Sequence, residues 1–155
     1  MDFIKNIGYP NVDATKNLYE FAHLTLQEFM AAVYLVRGLQ QKAVVPTPKR
    51  YEDAKQFILE KRYCLFYQIV FQFIAGILNA CPSYQSAQED FWQGLLSAPL
   101  DLTEVQHARL LARCLNQTHQ DDKHCAIPHK TEMIVYLKQW IAFLFNLNVI
   151  SSYSY

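Results

Sequence analysis

The sequence predicts an all-α fold, a compact bundle of about six helices preceded by a short N-terminal β-hairpin remnant, and three observations carry that expectation. Glycine is scarce at 4 and proline at 6 among 155 residues, which disfavours a turn-rich β architecture. Apolar residues recur at helical spacing in several separate stretches. Two capping boxes, Thr25 with Glu28 and Thr103 with Gln106, mark helix starts where side chains satisfy free backbone N–H groups. A chain of this size is one domain by length and buries roughly 70% of its unfolded surface, enough for a proper core.

Taken in order, the first two dozen residues differ from the rest. Ile7 to Pro10 and Leu18 to His23 are short extended-looking runs around a polar turn, Asn11 to Asn17, and read as a hairpin. Two isolated strands are marginal in water, so this hairpin needs the helices behind it. The first helix follows the Thr25 cap. Phe29, Val33 and Val36 form its apolar face, flanked by Ala32 and Leu39, with Gln27, Ala31, Tyr34, Gly38 and Gln41 opposite. Pro46 and Pro48 make Lys42 to Lys49 a loop.

A second helix spans about Tyr51 to Lys61, with a break near Tyr63. The third, about Leu65 to Ala80, confines Gln68, Gln72 and Asn79 to roughly 40° of its circumference and is otherwise apolar. Such a helix is surrounded on most sides, which places it at the centre of the core. Cys81-Pro82-Ser83 stops it. A shorter helix, Ala87 to Leu96, presents Phe91, Trp92, Leu95 and Leu96, and Pro99 closes that segment. The Thr103 cap opens a helix with Val105, Ala108, Leu111 and Leu115 on one side. A polar loop, Asn116 to Lys130, leads to the last helix, about Thr131 to Asn146, with Ile134, Leu137, Ile141 and Leu144 at helical spacing. Trp140, Phe143, Phe145 and Leu147 broaden its apolar surface beyond one contact, as core or as an end built to pack on a following repeat. The tail 151–155 is expected to fray. No internal repeat is visible. The boundaries that follow are 1–24 for the hairpin remnant, 25–130 for the helical domain and 131–155 for the final helix and tail.

Charge narrows the function classes. Fourteen basic residues cancel fourteen acidic ones, so there is no electrostatic footprint for nucleic acid or an anionic membrane. Neutrality favours self-association, since nothing repels a second copy. With 52% hydrophobic residues and 18% charged, part of the surface is expected to be covered by a protein partner or a homo-oligomer. The start, Met1 to Asn6, has no signal-peptide core. The longest apolar stretch, Tyr63 to Leu78, is interrupted by Gln68 and Gln72 and falls short of the ~20 residues of a membrane span. Cys64, Cys81, Cys114 and Cys125 show no CxxC spacing, which fits a reducing, cytoplasmic compartment without a disulfide framework.

The chemistry-bearing motifs are few. Gly8, Gly38, Gly76 and Gly94 are too far apart for a phosphate-cradling loop. Neither a G-x-S-x-G elbow nor an H-E-x-x-H pair occurs. Cys114, His119, His124, Cys125 and His129 could in principle supply a tetrahedral metal set, but their spacing matches no common zinc pattern and Cys114 falls on an apolar helix side. They read instead as polar loop histidines. Asp121-Asp122 reads as a solvated turn, and Glu89-Asp90 as acids serving a helix N-terminal half through the macrodipole. His23, at the strand–helix junction, reads by itself as a structural histidine. No catalytic residue, metal or cofactor is expected.

One segment adds a family resemblance. Tyr19-Glu20-Phe21-Ala22-His23-Leu24-Thr25-Leu26-Gln27-Glu28-Phe29-Met30-Ala31-Ala32 resembles the "F-x-H-L-[ST]-[FL]-Q-E-F-x-A-A" signature of NACHT-type nucleotide-switch proteins, the NOD-like receptors and their bacterial relatives. There it joins the winged-helix domain to the second helical domain. Phe71 to Leu78 is similar to the family's "F-x-F-[VL]-[AF]-G-L-L" helix, with Lys61-Arg62-Tyr63 similar to its lead-in. Phe91-Trp92 with Leu95-Leu96, then Pro99 to Leu102, resembles the stretch that follows. Leu110 to Asn116 resembles "L-L-x-x-C-L-x-E", with Gln117 where an acid is usual.

The resemblance covers about residues 7 to 118 and implies a non-catalytic regulatory and interaction module. It also implies a role for His23, which matches the signature histidine that hydrogen-bonds the β-phosphate of ADP in the closed state. The rest of that nucleotide site would lie before Met1, so His23 would bind nucleotide only with an upstream NACHT ATPase domain as partner. The alternative is a stand-alone bacterial effector or adaptor that grips a host or partner protein, secreted into the host cytosol. A third reading, a metal-dependent enzyme built on the His119 to His129 loop, would require stoichiometric zinc.

Overall fold

In a computed structural model, residues 4–6, 19–21, 24–43, 49–100, 105–118 and 127–152 are described. Two strands, β1 (Ile4–Asn6) and β2 (Tyr19–Phe21), pair antiparallel with Ile4 opposite Phe21. The first strand thus lies before the expected Ile7 to Pro10 run, whose residues fall outside those described. Six α-helices follow: α1 (Leu24–Leu39), α2 (Lys49–Lys61), α3 (Gln68–Ala80), α4 (Gln85–Leu96), α5 (Val105–Asn116) and α6 (Lys130–Ser152). Short 3-10 turns at Gln40–Ala43, Leu65–Tyr67 and Pro82–Tyr84 join or lead into them. The fold class is the predicted one, an all-helical bundle.

One of the two capped helix starts differs in detail from the expected one. α1 begins at Leu24, so Thr25 lies inside the first turn instead of at the non-helical position an N-cap requires. Thr103 lies outside the described residues. The C-terminal helix also runs further than expected, taking Ser151 and Ser152 into α6.

The third helix does sit at the centre. Val70, Phe71, Ile74, Ala75 and Leu78 of α3 are buried, and the helix packs against α1, α4 and α5. Its polar line is the seam with α5. Arg113 Nη1 donates to Gln68 Oε1 at 2.8 Å, and Asn79 Nδ2 donates to the Thr118 carbonyl at 3.3 Å. Gln72 Nε2 donates back to the Gln68 carbonyl at 3.2 Å. These bonds satisfy polar groups that would otherwise be costly to enclose.

The buried face of α1 is rotated from the expected one. Ala32, Leu35, Val36 and Leu39 face the core, while Phe29 is exposed and touches Phe73 of α3 edge-on, ring centroids 5.5 Å apart. Gly38, expected on the outer side, is buried. The reason is the approach of α2, a polar helix that buries only Tyr51, Ala54 and Ile58. So narrow a stripe gains enough contact only if its neighbours come close. They do so at glycines on both sides. A Cβ on Gly38 would stand 2.8 Å from the Arg50 carbonyl and 2.9 Å from the Ala54 Cβ, and one on Gly94 of α4 would stand 2.8 Å from the Ile58 Cγ2.

Gly76 makes the contrast, because a Cβ there would meet the Gln117 Cβ at an ordinary 3.9 Å. Gly38→Ala is therefore expected to lose about 1–2 kcal/mol: overpacking against backbone outweighs the roughly 1 kcal/mol that alanine gains in helix propensity. Gly76→Ala should instead stabilise by about 0.5–1 kcal/mol. Paired urea titrations of the two variants check the opposite signs; a stabilised Gly38→Ala would mean α1 and α2 stand further apart.

Candidate interaction surface

Of the chemistry-bearing residues, Cys64, Cys81, Cys114, Glu89, Asp90 and His129 are among those described. His23, His119, Asp121, Asp122, His124 and Cys125 lie outside the described residues. Cys114 is completely buried in the core, and burial pushes its thiol well above the ordinary range, so it is not poised as a thiolate ligand. His129 has both ring nitrogens on carboxylates, Glu89 at 2.8 Å and Glu132 at 3.0 Å. Among the described residues no cluster of His, Cys, Asp and Glu is arranged to hold a metal ion. Cys64, Cys81 and Cys114 are free thiols, with Cys64 exposed and not in the core.

Glu89 and Asp90 separate in role, contrary to the macrodipole reading. Glu89 faces outward to His129. Asp90 is 2% exposed, six residues into α4, where it accepts from Lys42 Nζ at 2.7 Å and from the Tyr51 hydroxyl at 3.1 Å. A buried carboxylate needs such partners, because desolvation alone would drive it neutral. The same contact explains Tyr51, whose hydroxyl is pushed up to about 12 by burial, then by the hydrogen bond and charge of Asp90. The partners lie 39 and 48 residues away in sequence, so no local pattern announces them.

The surface that stands out is α6. At its root Met133 is fully buried, Tyr136 and Leu137 pack on the core, and the Tyr136 hydroxyl donates to the Leu100 carbonyl at 3.3 Å. These residues and Trp140 fall at i, i+3, i+4 and i+7, a helical stripe in register with α5. The expected stripe of Ile134, Ile141 and Leu144 is exposed instead; of it only Leu137 packs inward. A helix apolar on all sides carries two stripes of equal merit, and periodicity alone does not choose between them.

Beyond Leu137 the described side chains of α6, up to Asn146, are exposed except for half-buried Trp140. Ile141, Phe143 and Phe145 show 54%, 52% and 68% of their surface. After Lys138 the sequence of α6 has no charged residue. A chain of aromatic contacts leads out to this region from the buried His107 ring: Tyr136 at 5.9 Å, Trp140 a further 6.4 Å and Phe143 a further 5.6 Å between centroids. Tyr136, Gln139, Trp140 and Phe143 line an open groove of about 380 Å³. Contiguous exposed apolar surface of this kind marks an interaction site more often than a solvated one. No helix among the described residues is long and apolar enough to cross a membrane.

An excess of apolar residues at this end is visible in the sequence, but no pattern there marks Arg62, Gln88 or His107 as the buried polar residues they are. A search of protein-family models finds no match to the chain, and comparison with curated proteins and with solved structures likewise finds none.

Proposed function

We propose that this chain is a non-catalytic helical regulatory and interaction module of a NACHT-type nucleotide-switch protein, working through the uncovered apolar side of α6. The observation that carries the interaction reading is the run of exposed Ile141, Phe143, Leu144 and Phe145 on a helix stretch without charge. Support for the kinship comes from the motif series, whose members fall in order on β2–α1, α3, α4 and α5. The sequence of these 155 residues has no phosphate-loop pattern, so nucleotide would be held by a partner domain and His23 would contribute only beside it.

Calorimetric titration of the purified chain with ADP checks this division of labour. No heat of binding is expected. Micromolar affinity that disappears in His23→Ala would mean that the chain completes a nucleotide site by itself, and the reading of a module without its own nucleotide chemistry would fall. The same surface would serve a stand-alone effector or adaptor. An ATPase reading frame directly upstream favours the module, and a solitary gene with a secretion signal favours the effector.

A further inference from the structure

The root of α6 carries a contact whose geometry depends on a proton. His129 is the last residue before the helix, and its carbonyl accepts the Met133 N–H at 3.0 Å, which makes it the N-cap. Its φ of 58° lies in the left-handed region, where a residue with a Cβ is held only by its surroundings. What holds it is visible. Nε2 lies 2.8 Å from Glu89 Oε1 on α4, and Nδ1 lies 3.0 Å from Glu132 Oε2 in the first turn of α6.

A neutral imidazole has one N–H, so it can donate to only one of these carboxylates; the other nitrogen would face an oxygen with lone pair against lone pair. Both contacts are hydrogen bonds only in the imidazolium form. A helix N-terminus by itself disfavours a cation there, and the two carboxylates oppose that effect. Among the described residues the charged groups set against His129 are Glu89 from α4 and Glu132 from α6.

We propose that His129 is a proton-operated latch that ties the root of α6 to α4 through Glu89, closed on both carboxylates when the ring is doubly protonated and loosened when it is neutral, uncharged and able to hold only one of them. Glu132 keeps the ring turned toward α4, and Glu89 is the strike plate on the bundle. Other root contacts are uncharged, Met133 in the core and Tyr136 on the Leu100 carbonyl, while the titratable ring that meets Tyr136 is His107 of α5 and not His129. Opening therefore loosens the first turns of α6 without unfolding the bundle, and with them the footing of the exposed apolar side.

The sign follows from linkage. Hydrogen bonding to Glu89, more than the opposing burial, raises the His129 pKa above its ordinary value. The latch is thus fully closed below the unfolded-state value of about 6.5, and it is lost as pH rises through the higher folded-state value.

The test joins two measurements on the full chain. Imidazole ¹⁵N shifts followed against pH should show His129 titrating above about 6.5, the ordinary histidine value, with Glu89→Gln bringing its midpoint down. Hydrogen exchange, corrected for the intrinsic pH effect, should show α6 amides from Met133 to Leu137 losing protection as His129 deprotonates. The loss should approach about tenfold for each pH unit by which the wild-type midpoint exceeds that of Glu89→Gln. In Glu89→Gln the pH dependence of these amides should flatten, while α3 amides stay unchanged in both proteins and report that the bundle is intact. A His129 midpoint at or below the ordinary value would overturn the latch. So would α6 protection that varies with pH equally in wild type and Glu89→Gln.

Discussion

Replacing Arg62 with alanine is expected to lower folding stability by about 3 kcal/mol, read as a fall in the urea midpoint at unchanged slope. Arg62 follows α2 and is almost wholly buried, yet its charge is met by carbonyls and not by a carboxylate among the described residues. Nη1 donates to the Gly94 carbonyl at 2.7 Å and to Ser97 Oγ, and Nη2 donates to the carbonyls of Ala98 at 3.2 Å and Pro99 at 3.4 Å. Ser97 Oγ in turn donates to the Gly94 carbonyl at 2.8 Å.

The last carbonyls of any helix lack intrahelical donors, and a cation beside them also complements the helix dipole. Arg62 does both for α4. Its guanidinium further lies 4.8 Å from the centroid of the Tyr63 ring. Arg62→Lys keeps the charge but replaces a planar fork by a point donor, so it should recover less than half of the loss. If lysine restored full stability, the fork geometry would be irrelevant and the site would need only a positive charge. If alanine cost under about 1 kcal/mol, water would be replacing the guanidinium at little cost, and the burial of this corner would be overstated.

Arg62 also shows where sequence reasoning stopped. Its partners lie 32 to 37 residues ahead in a segment recognisable only as a helix end with a proline. Asp90 is the same case, a carboxylate whose neighbours Lys42 and Tyr51 come from elements that no local pattern ties to α4. What was legible is what period and composition encode: helix positions, the stop at Cys81-Pro82-Ser83, and the central place of the apolar third helix. Azimuth was legible only where one side of a helix is plainly more apolar. On α1 the large Phe29 suggested the wrong face, whereas small Ala32 and Gly38 are buried because they let helices approach. On α6 there was no polar face to orient by. His23, on which the nucleotide expectation rests, lies outside the described residues, so the site implied by the resemblance stands on sequence alone.

The other large effect is expected at Phe71. Two phenylalanines flank Gln72 on α3, and the roughly 200° between them around the helix carries them to different surroundings. Phe71 is fully buried and stands in a line of rings that joins three helices, 6.2 Å from Phe57 of α2 and 6.5 Å from Phe91 of α4 between centroids. Phe91 continues the line to Trp92 at 5.0 Å. Removing the Phe71 ring takes away its transfer free energy and leaves a cavity whose walls are helices fixed by other contacts. Phe71→Ala should therefore cost about 4 kcal/mol. Phe71→Leu, which refills most of the volume, should cost about 1–1.5 kcal/mol.

Phe73 is only partly buried and meets exposed Phe29 edge-on. Phe73→Ala should cost about 1–2 kcal/mol, made up of partial burial and one aromatic pair. Fluorescence of buried Trp92 follows unfolding in all three variants, and it should also report loosened packing in folded Phe71→Ala. The ordering is the informative quantity. Equal losses at Phe71 and Phe73 would require α3 to be rolled so that both rings share the core. That roll would also turn Gln68 and Asn79 away from Arg113 and Thr118, and the polar seam between α3 and α5 could not form.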